Sequence, residues 1–196
     1  MISRLKESQI ELTRTLIKDQ FIQLYEKKGL DKVTVNEICK VCEISRSTFY
    51  QHFDDKYNLL ETIENELLEN IRHLNKDMQG IFIRDTKASI PNWIETATYI
   101  MEKKDYFRPL ILTPGDPRFV HKWNKLIRES YRQRLESDNF MTQNPNQDII
   151  LYSMASATIG MYEFWLQYRP DRTPQEIAEN GTKLLWSSFY KLEQFD

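Results

Sequence analysis

The sequence is poor in the residues that punctuate a chain. Among 196 residues there are 5 glycines and 7 prolines, and the first proline is Pro91. A proline-free stretch that long, interrupted only by Gly29 and Gly80, favours long helices over turn-rich β-structure. Cysteine is also scarce: Cys39 and Cys42, three positions apart, exclude a disulfide framework. Neither sign of charge prevails, with 27 Lys+Arg against 29 Asp+Glu and a formal net charge of -2, which speaks against a broadly basic surface for nucleic acid. Charges interrupt the apolar stretches within a few residues, so no segment is expected to span a bilayer. Met1 to Glu7 has no apolar core of the signal-peptide kind. The chain is therefore expected to be soluble and cytoplasmic, with no membrane partner.

What is present is an ordinary globular composition, 40% hydrophobic and 29% charged, long enough to bury a core without metal or disulfides. Apolar spacing by threes and fours predicts an all-α chain. The first helix covers roughly Ser8–Lys28 and stops at Gly29. Thr34 caps a short helix to about Val41, with Glu37 completing a capping box. Ser45 caps a second short helix, Arg46–Phe53, and Asp54 or Asp55 starts a long one from Lys56 to about Gln79. Beyond Thr86, Pro91 suits the start of a helix over Asn92–Lys104. A short helix, Asp105–Leu112, runs into the turn signal Thr113-Pro114-Gly115-Asp116-Pro117. Arg118–Ser137 and Asp148–Tyr168 are separated by a polar loop around Asn144-Pro145-Asn146. A last helix follows Thr173, with Pro174 first and Glu176 third.

Two short helices joined by a tight turn and flanked by longer ones form a helix-turn-helix pattern over Thr34–Phe53. Phe49 and Phe53, four apart, face the core with Ile38 and Ile44. Ser47, Thr48 and Gln51 point away from that face, flanked by Arg46 and Tyr50, residue types that reach base edges and phosphates. A capped pair with aromatic anchors also fits a plain corner of a helical bundle. The register of Thr34, Ser45, Tyr50, His52-Phe53 and Lys56 together favours DNA.

The segments Thr34-Val35-Asn36-Glu37-Ile38, Ile44 through Phe53, and Asp55-Lys56 before Leu59-Leu60 resemble the TetR-type transcriptional regulators. The resemblance covers about Leu12–Leu68. It implies phosphate contacts from Thr48, Tyr50 and Lys56, base reading by Asn36, Arg46, Ser47 and Gln51, and a further groove or backbone contact from His52. Thr34 and Ser45, which cap the two helices, complete the expected DNA-binding set. One departure is Glu43, where family members usually carry glycine in the turn; a non-glycine there must accept a strained backbone.

Other constellations are weaker. Cys39-Lys40-Val41-Cys42 has C-x-x-C spacing, but no second ligand pair exists for zinc and no strand-to-helix setting for redox chemistry. Two small packed thiols is the favoured reading, with thiol sensing a minor rival. No phosphate loop, G-x-S-x-G or H-E-x-x-H motif is present and the histidines are His52, His73 and His121, so neither an enzyme nor a cofactor or metal is expected. Arg118, Lys122, Lys125, Arg128 and Arg132 share one side of a helix, most simply as a solvated face.

Asp148–Tyr168 mixes large residues with Ser153, Ala155, Ser156, Ala157 and Gly160, and both final helices are too apolar for one exposed face each. They form either a monomer core or a four-helix interface across a two-fold axis; palindrome reading and the resemblance favour the dimer. Candidates to line an effector pocket are Trp93, Tyr99, Met101, Phe107, Phe119, Trp123, Tyr131, Tyr162 and Trp165. Segments within Asp105–Phe119 and Gly160–Glu176 also resemble a TetR subgroup that includes activators of dihydroxyacetone kinase operons. Some relatives repress while that one activates through a partner protein, so the direction of control is open. The expectation is a DNA-binding domain over residues 1–56 and a dimerising, effector-binding helical bundle over 57–196. The partners expected are a double-stranded palindromic operator, a second copy of the chain and a small-molecule effector. The alternative is a DNA-bound adaptor controlled by a protein partner.

Overall fold

The fold is that of a computed structural model describing residues 2–76, 86–112, 115–137 and 145–192, with side chains described over 8–76, 87–112, 115–136 and 145–183. Its helices are α1 (Ile2–Lys28), α2 (Val35–Val41), α3 (Arg46–His52), α4 (Lys56–Leu74), α5 (Thr86–Glu102), α6 (Lys104–Ile111), α7 (Pro117–Ser137), α8 (Gln147–Tyr168) and α9 (Pro174–Leu192). A single 3-10 turn, Leu30–Lys32, lies between α1 and α2, and there is no strand among the described residues.

The chain forms two compact units, Met1–Leu67 and Leu68–Asp196. The division lies within α4, later than residue 56, because the first turns of α4 bury Leu59, Leu60, Ile63 and Leu67. Glu66 on the same helix pairs with Lys18 of α1 at 2.7 Å.

In the first unit Ile17, Phe21 and Ile22 of α1, Val33, Ile38 of α2, and Phe49 and Phe53 of α3 and its end are buried. α1 stops where sequence predicts: Gly29 adopts φ 76 and its N–H bonds the Tyr25 carbonyl at 2.8 Å.

In the second unit α5 packs against α9 and α7 against α8, while α6 touches both α7 and α8. Phe107, Phe119 and Trp165 are fully buried. The Trp165 indole N–H donates to the Arg172 carbonyl at 3.0 Å, which satisfies its one polar atom. Thr173 and Glu176 form the expected capping box, with Thr173 N to Glu176 Oε2 at 2.8 Å and Glu176 N to Thr173 Oγ1 at 3.2 Å.

Three expectations need correction. α5 begins at Thr86, so Pro91 sits inside the helix and not at its start. Pro91 is exposed, which leaves the carbonyl that loses its N–H partner close to solvent. α4 ends at Leu74, short of the expected end near Gln79. Third, α8 is long and apolar enough, by length and composition, to cross a membrane, contrary to the expectation that no segment is. It is apolar on two sides, and 44% of the apolar window is buried within the protein. Thr113-Pro114, the predicted loop before Pro145, and residues 77–79 of the predicted long helix lie outside the described residues.

Candidate nucleic-acid interface and effector cavity

The helix-turn-helix is built from caps. The Thr34 hydroxyl accepts the Glu37 N–H at 3.3 Å, and the Glu37 carboxylate accepts the Thr34 N–H at 3.1 Å. Lys28 at the end of α1 donates to the same carboxylate. That hydrogen bond first, then the Thr34 hydroxyl, holds the Glu37 carboxyl below its ordinary range.

The turn is a Schellman motif closed by a residue that is not glycine. Ile44 N–H bonds the Cys39 carbonyl at 3.0 Å, Glu43 N–H the Lys40 carbonyl at 3.4 Å, and Glu43 takes φ 54. The strain expected for Glu43 from sequence is thus located at a left-handed position, with the carboxylate exposed.

α3 starts at Ser45, whose Oγ accepts the Thr48 N–H at 3.0 Å and lies 2.7 Å from Ser47 Oγ and 2.8 Å from Thr48 Oγ1. Phe49 is fully buried and Phe53 packs 6.0 Å from it, centroid to centroid. This anchors one face of α3 and turns Arg46, Ser47, Tyr50 and Gln51 to solvent. Arg46 Nη2 donates to the Tyr50 hydroxyl at 3.2 Å, and its guanidinium carbon stands 5.8 Å from the Tyr50 ring centre.

Asn36 is exposed near the start of α2, Thr34 is exposed at its cap, and Thr48 and His52 are half-buried. The Thr48 hydroxyl turns toward the Ser45 cap. Lys56 is placed differently from a phosphate contact. Its Nζ donates to the carbonyls of Leu30 at 2.9 Å, Asp31 at 3.2 Å and Val33 at 2.9 Å, which uses all three N–H groups. Lys56 ties α4 to the 3-10 turn. Sequence reasoning passed over Tyr57, exposed at the start of α4; the available signal was an aromatic inside the polar run Asp54–Asn58.

Cys39 and Cys42 are both buried and reduced. Each Sγ faces a carbonyl at 3.9 Å, Cys39 that of Ser45 and Cys42 that of Leu16. Burial pushes the Cys42 thiol up to about 11 and raises Cys39 as well. Among the described residues no group of three His, Cys, Asp or Glu side chains could hold a metal.

The second unit contains a cavity of about 490 Å³. Of the nine sequence candidates, Trp93, Trp123, Tyr131 and Tyr162 line it. Tyr99, Met101, Phe107, Phe119 and Trp165 do not: Phe107, Phe119 and Trp165 are fully buried packing residues, and Tyr99 packs edge-on to Phe107. The walls also include Ile71, Thr96, Ile127, Thr158 and Arg134, none foreseen. Arg134 was detectable as the next position on the stripe Trp123, Ile127, Tyr131, where a cation is out of place. The cation stripe of α7 is largely paired: Arg118 with Asp116, Lys125 with Glu129, Arg132 with Asp148, and Arg128 over the Tyr152 ring.

α8 buries Leu151, Met154, Ala155, Thr158, Ile159, Tyr162, Trp165 and Leu166. Its other face exposes Ile149, Tyr152, Phe164 and Tyr168, each more than half exposed, with Ser153, Ser156, Ala157 and Gly160 between them. A Cβ built at Gly160 meets nothing within 4 Å.

Comparison with known proteins agrees with this geometry. Residues 19–63, which include α2 and α3, match the family of bacterial regulatory proteins named for tetR. Residues 90–186 match a transcriptional regulator C-terminal region of the same family. The chain belongs to the TetR family of DNA-binding transcriptional regulators. It is 29% identical over 84 residues, 43% of this chain, to the HTH-type transcriptional regulator AcrR of Shigella flexneri; the match spans 39% of that relative's length. A TetR transcriptional regulator from Streptococcus agalactiae shares the fold with a TM-score of 0.66 at 21% identity, over 93% of this chain and 98% of that one. The FadR repressor of Thermus thermophilus, crystallised with lauroyl-CoA, aligns with a TM-score of 0.56 at 22% identity over 88% and 92%. The dihydroxyacetone kinase operon activator DhaS aligns with a TM-score of 0.60 at 15% identity over 90% and 95%.

Proposed function

We propose that this regulator binds a palindromic operator as a homodimer and that a small molecule in the cavity of its second unit controls the binding. The observation that carries the reading is the solvent-facing set Arg46, Ser47, Tyr50 and Gln51 on a helix whose opposite face is locked by Phe49 and Phe53. Arg46, Ser47 and Gln51 read base edges, with Asn36 beside them. Tyr50, Thr48 and the cap hydroxyls of Thr34 and Ser45 take phosphates, and His52 a groove wall. The exposed apolar face of α8 pairs with its copy across a two-fold axis, which supplies the symmetry that two half-sites require. The 490 Å³ cavity supports a small-molecule effector over a protein-only switch. The protein acts in the cytoplasm, where its operator lies.

Residues 1–60 hold 10 Lys+Arg and 9 Asp+Glu, so affinity rests on few phosphate contacts and the salt dependence is shallow. Selection of bound fragments from the source genome, followed by gel shifts, tests the reading. An enriched palindrome is expected. Gln51→Ala and Arg46→Ala should each relax preference at one position per half-site by about 1–3 kcal/mol. Fragments with no shared palindrome would overturn operator reading.

A further inference from the structure

α4 opens on a frame of hydrogen bonds that holds a tyrosine at the surface. The Asp55 Oδ1 atom accepts the N–H groups of Tyr57 at 2.8 Å and of Asn58 at 2.7 Å. The Asn58 side-chain oxygen in turn accepts the Asp54 N–H at 3.2 Å. These bonds fix the backbone of the first turn, as caps do at a helix start. Tyr57 leaves that turn 52% exposed. Among the described residues its hydroxyl has no hydrogen-bond partner, whereas the Tyr50 hydroxyl accepts from Arg46 and the Tyr131 hydroxyl meets Thr158.

A single exposed aromatic is ordinary. Tyr57 differs because its ring is held. The Lys56 Nζ stands 5.2 Å from the ring centre, close enough for a cation–π contact. The same Nζ donates to the carbonyls of Leu30, Asp31 and Val33. One cation therefore grips both the Tyr57 ring and the segment that leads into Thr34, the cap of α2. The first helix of a helix-turn-helix crosses the DNA backbone, so a backbone that meets the start of α2 runs beside this tyrosine.

Charge decides what kind of contact can form there. Asp54 and Asp55 are exposed neighbours, and the N–H groups of Lys56 are spent on carbonyls. Two carboxylates against one cation give no net pull on a phosphate at this end of α4. What remains is a directional hydrogen bond from a neutral O–H, a donor that protein–DNA interfaces use on phosphate oxygens.

We propose that Tyr57 is a further contact to the operator backbone, its hydroxyl donating to a phosphate oxygen beside the α2 cap. It takes the place that the family resemblance gives to Lys56, whose ammonium is turned to the protein. The inference rests on the operator reading above and adds one residue per half-site to it. A ring already held has little rotamer freedom left to lose on binding, so the bond forms at low entropic cost.

Tyr57→Phe keeps the ring and its contact with Lys56 and removes only the hydroxyl. Fluorescence anisotropy of the full chain on the palindrome recovered by genomic selection should show binding weakened by about tenfold or more, since a homodimer loses two bonds to charged acceptors. The slope of log affinity against log salt should not change, because a neutral donor releases no counterion. Base preference should hold at every position. Operators carrying one methylphosphonate per half-site, walked along the backbone, locate the acceptor. One position should weaken the wild type and cost Tyr57→Phe nothing further, the coupling that two contacting groups show. Urea denaturation verifies that the variant is folded. Equal affinity of variant and wild type overturns the contact while the operator reading stands. A loss that no single phosphate position shares overturns it too, since that marks an effect on the protein alone. A wild-type chain that binds no DNA overturns the operator reading and this contact together.

Discussion

The Lys56 ammonium and the Val33 carbonyl oxygen lie 2.9 Å apart, and two further bonds to Leu30 and Asp31 complete the coordination of that cation by backbone. A lysine so placed closes the 3-10 turn that aims α2. It has no N–H left over for a phosphate unless one of these bonds is given up.

Lys56→Ala should therefore lower stability by about 1–3 kcal/mol, the range for hydrogen bonds to a charged group. It should leave the slope of log affinity against log salt unchanged. Denaturation with urea and gel-shift titration at several salt concentrations measure both. A slope reduced by about one unit, with no loss of stability, would show that Lys56 binds phosphate.

Glu43 occupies the left-handed position of the α2–α3 turn at φ 54. Glu43→Gly should stabilise the protein by about 0.5–1 kcal/mol, because relief of the Cβ penalty outweighs the extra freedom of glycine in the unfolded chain. The same change removes an exposed carboxylate from the turn, so operator affinity should rise or hold. A lower melting temperature for the variant would contradict this account.

How far the sequence carried can be judged at these two residues. Glu43 was legible because the turn length and the caps Thr34 and Ser45 fix which residue must be left-handed, whatever its type. Lys56 was not, because its partners are carbonyls some 25 positions earlier, and a carbonyl has no letter in the sequence. The cavity shows the same divide. Trp93, Trp123, Tyr131 and Tyr162 could be named as aromatics, but which rings line space and which fill it depends on how α5, α6, α7 and α8 meet. Pro91 misled for a different reason: proline is tolerated inside a helix where the orphaned carbonyl is near solvent, and exposure is a tertiary fact.

The α8 face gives a third prediction. Phe164 is 57% exposed and Gly160 has open space above it. Phe164→Glu and Gly160→Trp should each yield monomers by sedimentation velocity, with helix content unchanged, since neither side chain is part of the buried core of the chain. A dimer that survives both would place the interface elsewhere.

The thiols give a fourth. With Cys42 raised from 9.0 to about 11, only about one molecule in a thousand carries its thiolate at pH 8. Iodoacetamide should leave Cys39 and Cys42 unmodified in the folded protein and alkylate both in urea. The linked effect on stability has a definite sign. A raised folded-state pKa leaves stability constant below pH 9 and erodes it as pH climbs toward 11, and Cys42→Ala should remove that part of the alkaline decline. Rapid alkylation of the folded protein at pH 8 would count against inert thiols.

The hydrogen bond between Arg46 and the Tyr50 hydroxyl has a consequence of another kind. An arginine free on a helix surface loses rotamer freedom when a groove captures it, at a cost of about 0.5–1.5 kcal/mol. Arg46 has surrendered part of that freedom before any DNA arrives, held by one neighbouring turn of the same helix. Tyr50→Phe keeps the ring but deletes both the tether and the hydroxyl proposed to meet a phosphate. Beyond that lost contact, it changes how many shapes the reader explores while waiting, and with it the entropy of recognition.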